Sequence, residues 1–388
     1  MDFAYSADQN SLRDLARRVL SDHGSTQRLV EVEADPERID RRLWAELART
    51  GLLGVCVPEA HGGSGMGLVE LCILLEEVGR TVAPVPVFAT LALGVMPIAQ
   101  FGTEPQRSRL LPGAAAGEHF LSAALIEPRN PDALAPVTRA SHDRAGWRID
   151  GVKICVPAAA GARTVIVPAR TGGDEIVLLL VDPHQPGVTL ERMETTNREM
   201  QYRMSLEGVT ASDDDVLGST GTGRDLLDWI VDRATVALCS MQVGVTEEAL
   251  RMTAQYTSAR EQFDRPLAAF QAVAQRAADA YIDTEGIRLT TLEAVWLLAQ
   301  GLPASREVAV AKFWASERAQ RVVHAAQHLH GGVGVDLTYP LHRYFLWAKQ
   351  IELNLGAGTA QLKRLGALLA DEPAVIEAVP PPLAGVAH

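Results

Sequence analysis

The chain has 388 residues, 47 % of them apolar and 22 % charged, a composition that supports a large folded core and excludes a disordered protein. That length predicts two or three packed regions. A formal net charge of -12, with no cluster of lysine and arginine, argues against a nucleic-acid partner, because phosphate backbones are met by basic faces.

The chain opens Met1, Asp2, Phe3 and reaches charged residues quickly, without the basic start and apolar run of a signal peptide. Cys56, Cys72, Cys155 and Cys239 are scattered with no CxxC spacing, so they read as reduced core residues and not as disulfides or metal ligands. Both observations predict a cytoplasmic protein. From Ser11 to about Gly117 the apolar spacing is helical, as in Leu12, Leu15, Ala16 and Val19 and again in Leu43, Leu47 and Ala48. Within it, HGGSGMG at residues 61–67 resembles a phosphate cradle only superficially, since no strand feeds it and no P-loop lysine follows. Residues 81–101 carry no charge and are about long enough to span a bilayer, but Pro84, Pro86, Pro97 and Gly94 interrupt them. Proline removes backbone donors, so a buried helix with irregular flanks is expected there, with no membrane insertion.

From about Phe120 to Leu217 the runs GWRIDGVKICV, TVIVPA and EIVLLLVDP predict a small sheet, with Asp150-Gly151 as a two-residue hairpin turn. After Gly221 the pattern returns to helix, first through Asp228 to Ala259 and again after Phe270. Residues 305–330 place Val308, Ala311, Ala315, Ala319, Val322, Ala326 and Leu329 three and four apart, with Ser305 as N-cap and Gly331 as the stop. The expected fold class is α+β, mainly α. Its predicted domains are an N-terminal helical domain (1–118), a middle β domain (119–218) and a C-terminal four-helix bundle (219–388).

The string YTSAREQFDRPLAAFQAVAQRAAD, residues 256–279, ends one helix in a charged aromatic turn and starts another. Arg260 offers a planar fork suited to phosphate, and Phe263 and Phe270 offer apolar faces to a ring system. The plain alternative is an exposed arginine beside core aromatics. The string resembles the signature of the acyl-CoA dehydrogenase family. HLHGGVGVDLTYPLHRYF (328–345) is similar to that family's GGxG segment and following Tyr-Pro, and GTAQLKRL (358–365) gives a third match.

The resemblance implies the family fold and FAD as cofactor. It also implies α,β-dehydrogenation of an acyl-CoA thioester, and electron-transfer flavoprotein as the electron acceptor. It implies an oligomer as well, because the arginine turn and GGxG segment of one subunit hold the adenosine and pyrophosphate of its neighbour's FAD. Carried across, Arg260, Gln262, Phe263, Phe270, Gln271 and Gly332 would contact a partner's flavin, with His328 where glutamine is usual. Thr359 and Gln361 would reach toward the subunit's own flavin.

The departures fall on the subunit's own site. The family's carboxylate base would stand at Ala357, or, on the long helix, at Ala234, counting from Tyr256 and Gly244. Proton abstraction needs a base within hydrogen-bond reach of the α-carbon. Asp232 and Glu352 are the nearest substitutes, and an exposed or ion-paired state is the expected fate of each. The family's Thr-Glu-Pro keeps only Glu127-Pro128. Its hydroxyl near flavin N5 is replaced by Cys155-Val156-Pro157, where proline has no donor.

The leading expectation is therefore a half-site or non-catalytic chain of a heterotetramer formed with a paralogous subunit and acting on a bulky, sterol-type acyl-CoA. A self-sufficient homo-oligomer with a displaced base is the second. A non-oxidising acyl-CoA-binding protein is the third.

Overall fold

The computed structural model describes residues 3–370 except 145, 174 and 220, so the first two residues and 371–388 lie outside it. Helices α1 (Ala7–His23), α2 (Thr26–Ala34), α3 (Arg41–Arg49) and α4 (Leu68–Thr81) come first. Ser6, Ser25 and Asp40 cap the first three by accepting hydrogen bonds from backbone N–H groups that the helix itself leaves unpaired. The uncharged stretch forms a π-helical segment, Phe88–Val95, running into α5 (Met96–Phe101), and every residue from Phe88 to Val95 is buried. No described helix is long and apolar enough to cross a membrane. Helix α6 (Glu104–Ala115) leads to the sheet.

Strands β1 (Phe120–Ala123), β2 (Arg139–Asp143), β3 (Gly146–Pro157), β4 (Ala162–Arg170), β5 (Ile176–Val181), β6 (Val188–Met193) and β7 (Gln201–Ala211) form one sheet ordered β1-β4-β2-β3-β7-β6, with β5 beside β4. The hairpin expected at Asp150-Gly151 is not there. Those residues lie inside β3 at a register shift, and the turn falls between Asp143 and Gly146. Asp150 accepts a hydrogen bond from the Gly208 N–H of β7 instead. A second shift, between Lys153 and Val156, is a bulge with Cys155 at φ 52°. An extra residue of this kind re-aims a side chain off the regular pleat.

The remaining helices are α7 (Gly223–Ala259), α8 (Gln271–Ala299), α9 (Ser305–His330), α10 (Leu341–Leu353) and α11 (Gly358–Ala370), with the short ribbon β8 (Glu261–Gln262) and β9 (Arg265–Pro266) between α7 and α8. The α9 stripe is buried throughout, as its spacing predicts. Ser305 is not its cap: Ala304 takes that position, and the Ser305 hydroxyl donates to Asp232. Helices α4 and α7 touch backbone to backbone, because a Cβ at Gly79 would lie 2.0 Å from Met241 O and one at Gly244 1.9 Å from Glu76 O. One core cluster joins the first helices, the sheet and α7, and a second fills the space between α7, α8 and α9.

Candidate functional site

Two places carry the chemistry-bearing residues. The first is an outward face. Helix α7 ends at Ala259, and the β8–β9 ribbon turns at Phe263 and Asp264, both at positive φ. That geometry pushes Phe263 out until 87 % of it is exposed, with its ring edge toward Phe270 at 6.3 Å between centroids. Arg265 lies over Phe270 at 4.0 Å. Arg260, Gln262 and Gln271 are exposed, and the Arg260 guanidinium has no ion-pair partner among the described residues.

The structure brings the GGxG segment to this same face. Tyr256, one turn before Arg260, stacks on His330 at 4.4 Å, and His330 Nε2 lies 3.2 Å from the Tyr339 hydroxyl. His328 Nδ1 is 2.9 Å from Arg276 Nη1 of α8. After His330 the chain passes through Gly331 at φ 59° into Gly332, both exposed. Seven of the expected residues (Arg260, Gln262, Phe263, Phe270, Gln271, His328, Gly332) thus belong to one surface built from the α7–α8 turn and the end of α9. An arginine fork, exposed aromatic rings and free backbone at glycine suit a nucleotide's phosphates and ring.

The second place is a cavity of about 450 Å³ between the sheet and the turn joining α10 to α11. Phe88 and Leu93 of the π-helical segment, Leu125 beyond β1, Cys155 and Pro157 of β3, Leu238 of α7 and Leu355 line it. Leu238 is one helical turn from the buried Ala234, and Gly356 precedes Ala357, so both alanines flank this space. Neither substitute carboxylate lines it. Asp232 is held by Arg364 at 2.6 Å and Ser305 at 2.7 Å, and Glu352 by Lys349 at 2.5 Å.

Gln361 is buried under the α10–α11 turn and donates to Leu355 O at 2.9 Å and Gly356 O at 3.3 Å, while Thr359 is exposed on α11. Lys312 supports the same turn. Its fully buried ammonium donates to Ile351 O at 2.5 Å and Glu352 O at 3.1 Å, and burial lowers its pKa to about 8.

The fit to a flavin ring differs between the two places. On the cavity side the Cys155 N–H points to Met193 Sδ at 3.5 Å, and Pro157 has no N–H. On the outward face the Arg260 guanidinium has no side-chain partner among the described residues, while Gln262 Nε2 donates to Glu261 O at 2.7 Å and His328 is already paired with Arg276. Sequence reading missed Glu199 and Gln201, which line the cavity from the β6–β7 connection and the start of β7. Burial pushes the Glu199 carboxyl above its ordinary range. No linear signal marks either residue, because the cavity forms from segments more than a hundred residues apart.

Glu127 is buried beside the cavity wall and serves structure. Its carboxylate accepts from Lys153 Nζ and Thr138 N at 2.8 Å, Val137 N at 2.6 Å and Asn130 Nδ2 at 3.1 Å. Burial alone would raise its pKa, but the Lys153 charge and these donors outweigh that and hold it at about 2. No group of three or more metal-ligating side chains occurs among the described residues.

Residues 6–118 match the family model of the acyl-CoA dehydrogenase N-terminal domain, and residues 221–369 match that of the C-terminal domain. Acyl-CoA dehydrogenase FadE27 of Mycobacterium tuberculosis is 37 % identical over 382 residues, covering 96 % of this chain and all of the relative. Among solved structures, a variant of the Tcur3481-Tcur3483 steroid ACAD is 46 % identical with a TM-score of 0.88, covering 95 % of this chain and 99 % of its own. The ChsE4-ChsE5 complex from Mycobacterium tuberculosis is 36 % identical with a TM-score of 0.91, covering 96 % and 100 %.

Proposed function

The chain belongs to the acyl-CoA dehydrogenase family of FAD-dependent oxidoreductases acting on CH–CH bonds, and from that premise we propose that it is the companion, half-site subunit of a heteromeric enzyme. One observation carries this reading. Residues that would serve a neighbour's FAD gather on one outward face, with Arg260 and Phe263 exposed, while the chain's own cavity is flanked by alanine at both expected base positions and has a proline in its wall. Two of the similar solved structures are named as pairs of chains, which agrees with a paralogous partner.

In that assembly FAD supplies the hydride acceptor. Arg260 would neutralise pyrophosphate charge through its fork, and Phe263 and Phe270 would cover the adenine and exclude water from it. Gln262, Gln271, His328 and the Gly332 backbone would fix its orientation, and the partner would contribute the carboxylate base. The substrate class that goes with this reading is a bulky, sterol-type acyl-CoA thioester, with electrons passed on to electron-transfer flavoprotein.

The test is the visible absorption spectrum of the chain purified alone and after co-expression with its neighbouring dehydrogenase paralogue. Flavin retained only in the co-purified complex is the expected result. A full complement of flavin in the isolated chain, bleached anaerobically by an acyl-CoA, would sink the proposal. It would favour a self-sufficient enzyme, for which Glu199 is the carboxyl that lines the cavity with a pKa raised by burial.

A further inference from the structure

We propose that the outer face of the sheet carries a binding site for a soluble phosphate monoester, in a groove between β2, β3 and the turn that follows β4. The groove measures about 750 Å³ and is lined by Arg139, Arg148, Asp150, Arg170, Gly172 and Gly173, among others. Strand pairing puts these residues together. Arg139 of β2 stands opposite Asp150 of β3 on one side and opposite Arg170 of β4 on the other, and Arg148 lies one row away, opposite Ser141. Because side chains alternate between faces, Arg139, Arg148 and Asp150 share the exposed face, while Ala140 and Ile149 are buried on the other.

Like charges directly opposite each other on neighbouring strands are unfavourable unless a negative group lies near them. No described side chain supplies one here. The Arg139 and Arg170 guanidiniums have no side-chain partner among the described residues, in a chain whose 48 acidic residues outnumber its 36 lysines and arginines. Asp150 is engaged elsewhere, accepting from the Gly208 N–H at 2.7 Å and lying 3.5 Å from Arg148 Nε. Arg148 is itself positioned: a Cβ at Gly208 would lie 2.4 Å from Arg148 Nη2, so the bare glycine, at φ 61°, makes the room in which that guanidinium lies.

A phosphate monoester answers this arrangement. It carries close to two negative charges and three terminal acceptor oxygens, enough to offset both unpaired arginines and to meet their planar forks. Positions Gly172 and Gly173 face open space, so the ester can approach the backbone of the turn. A carboxylate brings one charge and two oxygens, and a polyanion such as nucleic acid meets the repulsion of the chain's net charge of -12. The inference is independent of the companion-subunit reading, since no residue of the groove belongs to the outward face or to the cavity.

The experiment is isothermal titration of the full-length chain with glycerol 3-phosphate and, at the same ionic strength, with acetate. The ester is expected to bind at least about tenfold more tightly than acetate, the size of one further charge-assisted hydrogen bond, and Arg139→Gln and Arg170→Gln are each expected to weaken it by about tenfold. Arg49→Gln removes the same charge from an exposed ion pair elsewhere, and Arg260→Gln removes it from the outward face. Both should leave the affinity within about twofold, because charges far from the groove are screened. Without ligand, Arg139→Gln should melt no lower than the parent, since it removes a like-charged neighbour.

Sedimentation with phosphatidylcholine vesicles carrying phosphatidic acid separates a free ester from a lipid headgroup. Val137 is the large exposed hydrophobic side chain that lines the groove, too little to insert into a bilayer, so the chain should stay in the supernatant. Several results would overturn the assignment: equal affinities for ester and acetate, no binding of the ester, binding that survives both groove variants or is lost in Arg260→Gln, a lower melting temperature of unliganded Arg139→Gln, or sedimentation with the vesicles.

Discussion

Phe263 gives the sharpest test of the outward face, because stability and assembly make opposite demands on it. In the isolated chain its ring is 87 % exposed and rests only edge-on against Phe270. Phe263→Ala therefore removes almost nothing from the chain's own core, and its unfolding free energy is expected to stay within about 0.5 kcal/mol of the parent. If the ring becomes buried against a neighbour's nucleotide, truncation forfeits about 1.5–3 kcal/mol of apolar burial. At 1.4 kcal/mol per tenfold, that weakens FAD retention by roughly 10- to 150-fold. The assay pairs urea denaturation of the isolated chain with flavin retention by the co-purified complex during dialysis. Arg260→Lys run alongside keeps the charge but loses the two-pronged geometry, and an intermediate loss is expected. Unchanged flavin retention in Phe263→Ala, or a stability loss in the isolated chain as large as the flavin effect, would refute the reasoning.

Three further expectations concern the interior. Lys153→Met strands the Glu127 carboxylate in the sheet at a cost of about 3–5 kcal/mol, and pairing it with Glu127→Gln recovers part of that loss in a double-mutant cycle by urea denaturation. Glu127 titrates at about 2 when folded, below its ordinary 4.5, so its contribution is fully present above about pH 4.5 and is lost as pH falls toward 2. The slope of stability with pH in that window should flatten in Glu127→Gln. Burial pushes the thiols of Cys56, Cys72 and Cys239 up to about 12 and also raises that of Cys155, but Cys155 is half-buried where the others are buried, so a thiol-reactive dye at pH 8 should label the native chain first at Cys155, as peptide mapping will report.

The helical, sheet, helical order was legible because each segment states its period. The α9 stripe alone fixed a buried face, and the prolines of residues 81–101 ruled out a span. The errors arose where a local signal met a tertiary competitor. Asp150-Gly151 has the composition of a hairpin turn, yet the Asp150 carboxylate is taken by the Gly208 N–H across the ladder, and the strand runs on through a shift. Ser305 has the composition of a cap, yet its hydroxyl serves the ion pair of Asp232 with Arg364. The outward face was legible because its residues cluster in two short strings. The cavity was not, since Phe88, Gln201, Leu238 and Leu355 meet only after folding.

The persistence of a residue type from an enzymatic signature does not by itself imply chemistry, and Glu127 and Phe263 separate the two cases. Glu127 survives without the hydroxyls that would accompany it, and its four donors account for that: it fastens residues 130–138 to the sheet, and losing it would leave Lys153 buried without a counter-charge. The chain's own fold explains Glu127 completely. The β8–β9 turn sets Phe263 at positive φ with its ring in solvent, and the Arg260 guanidinium beside it has no side-chain partner among the described residues. A ring this exposed adds almost nothing to the chain's own stability, and on the proposed reading a neighbour's nucleotide would cover it. The cavity, with Pro157 in its wall and alanine at both of the base positions the resemblance implies, offers no carboxylate there for chemistry of its own. On the proposed companion-subunit reading, the two facts together would place the nucleotide outward, against a neighbour.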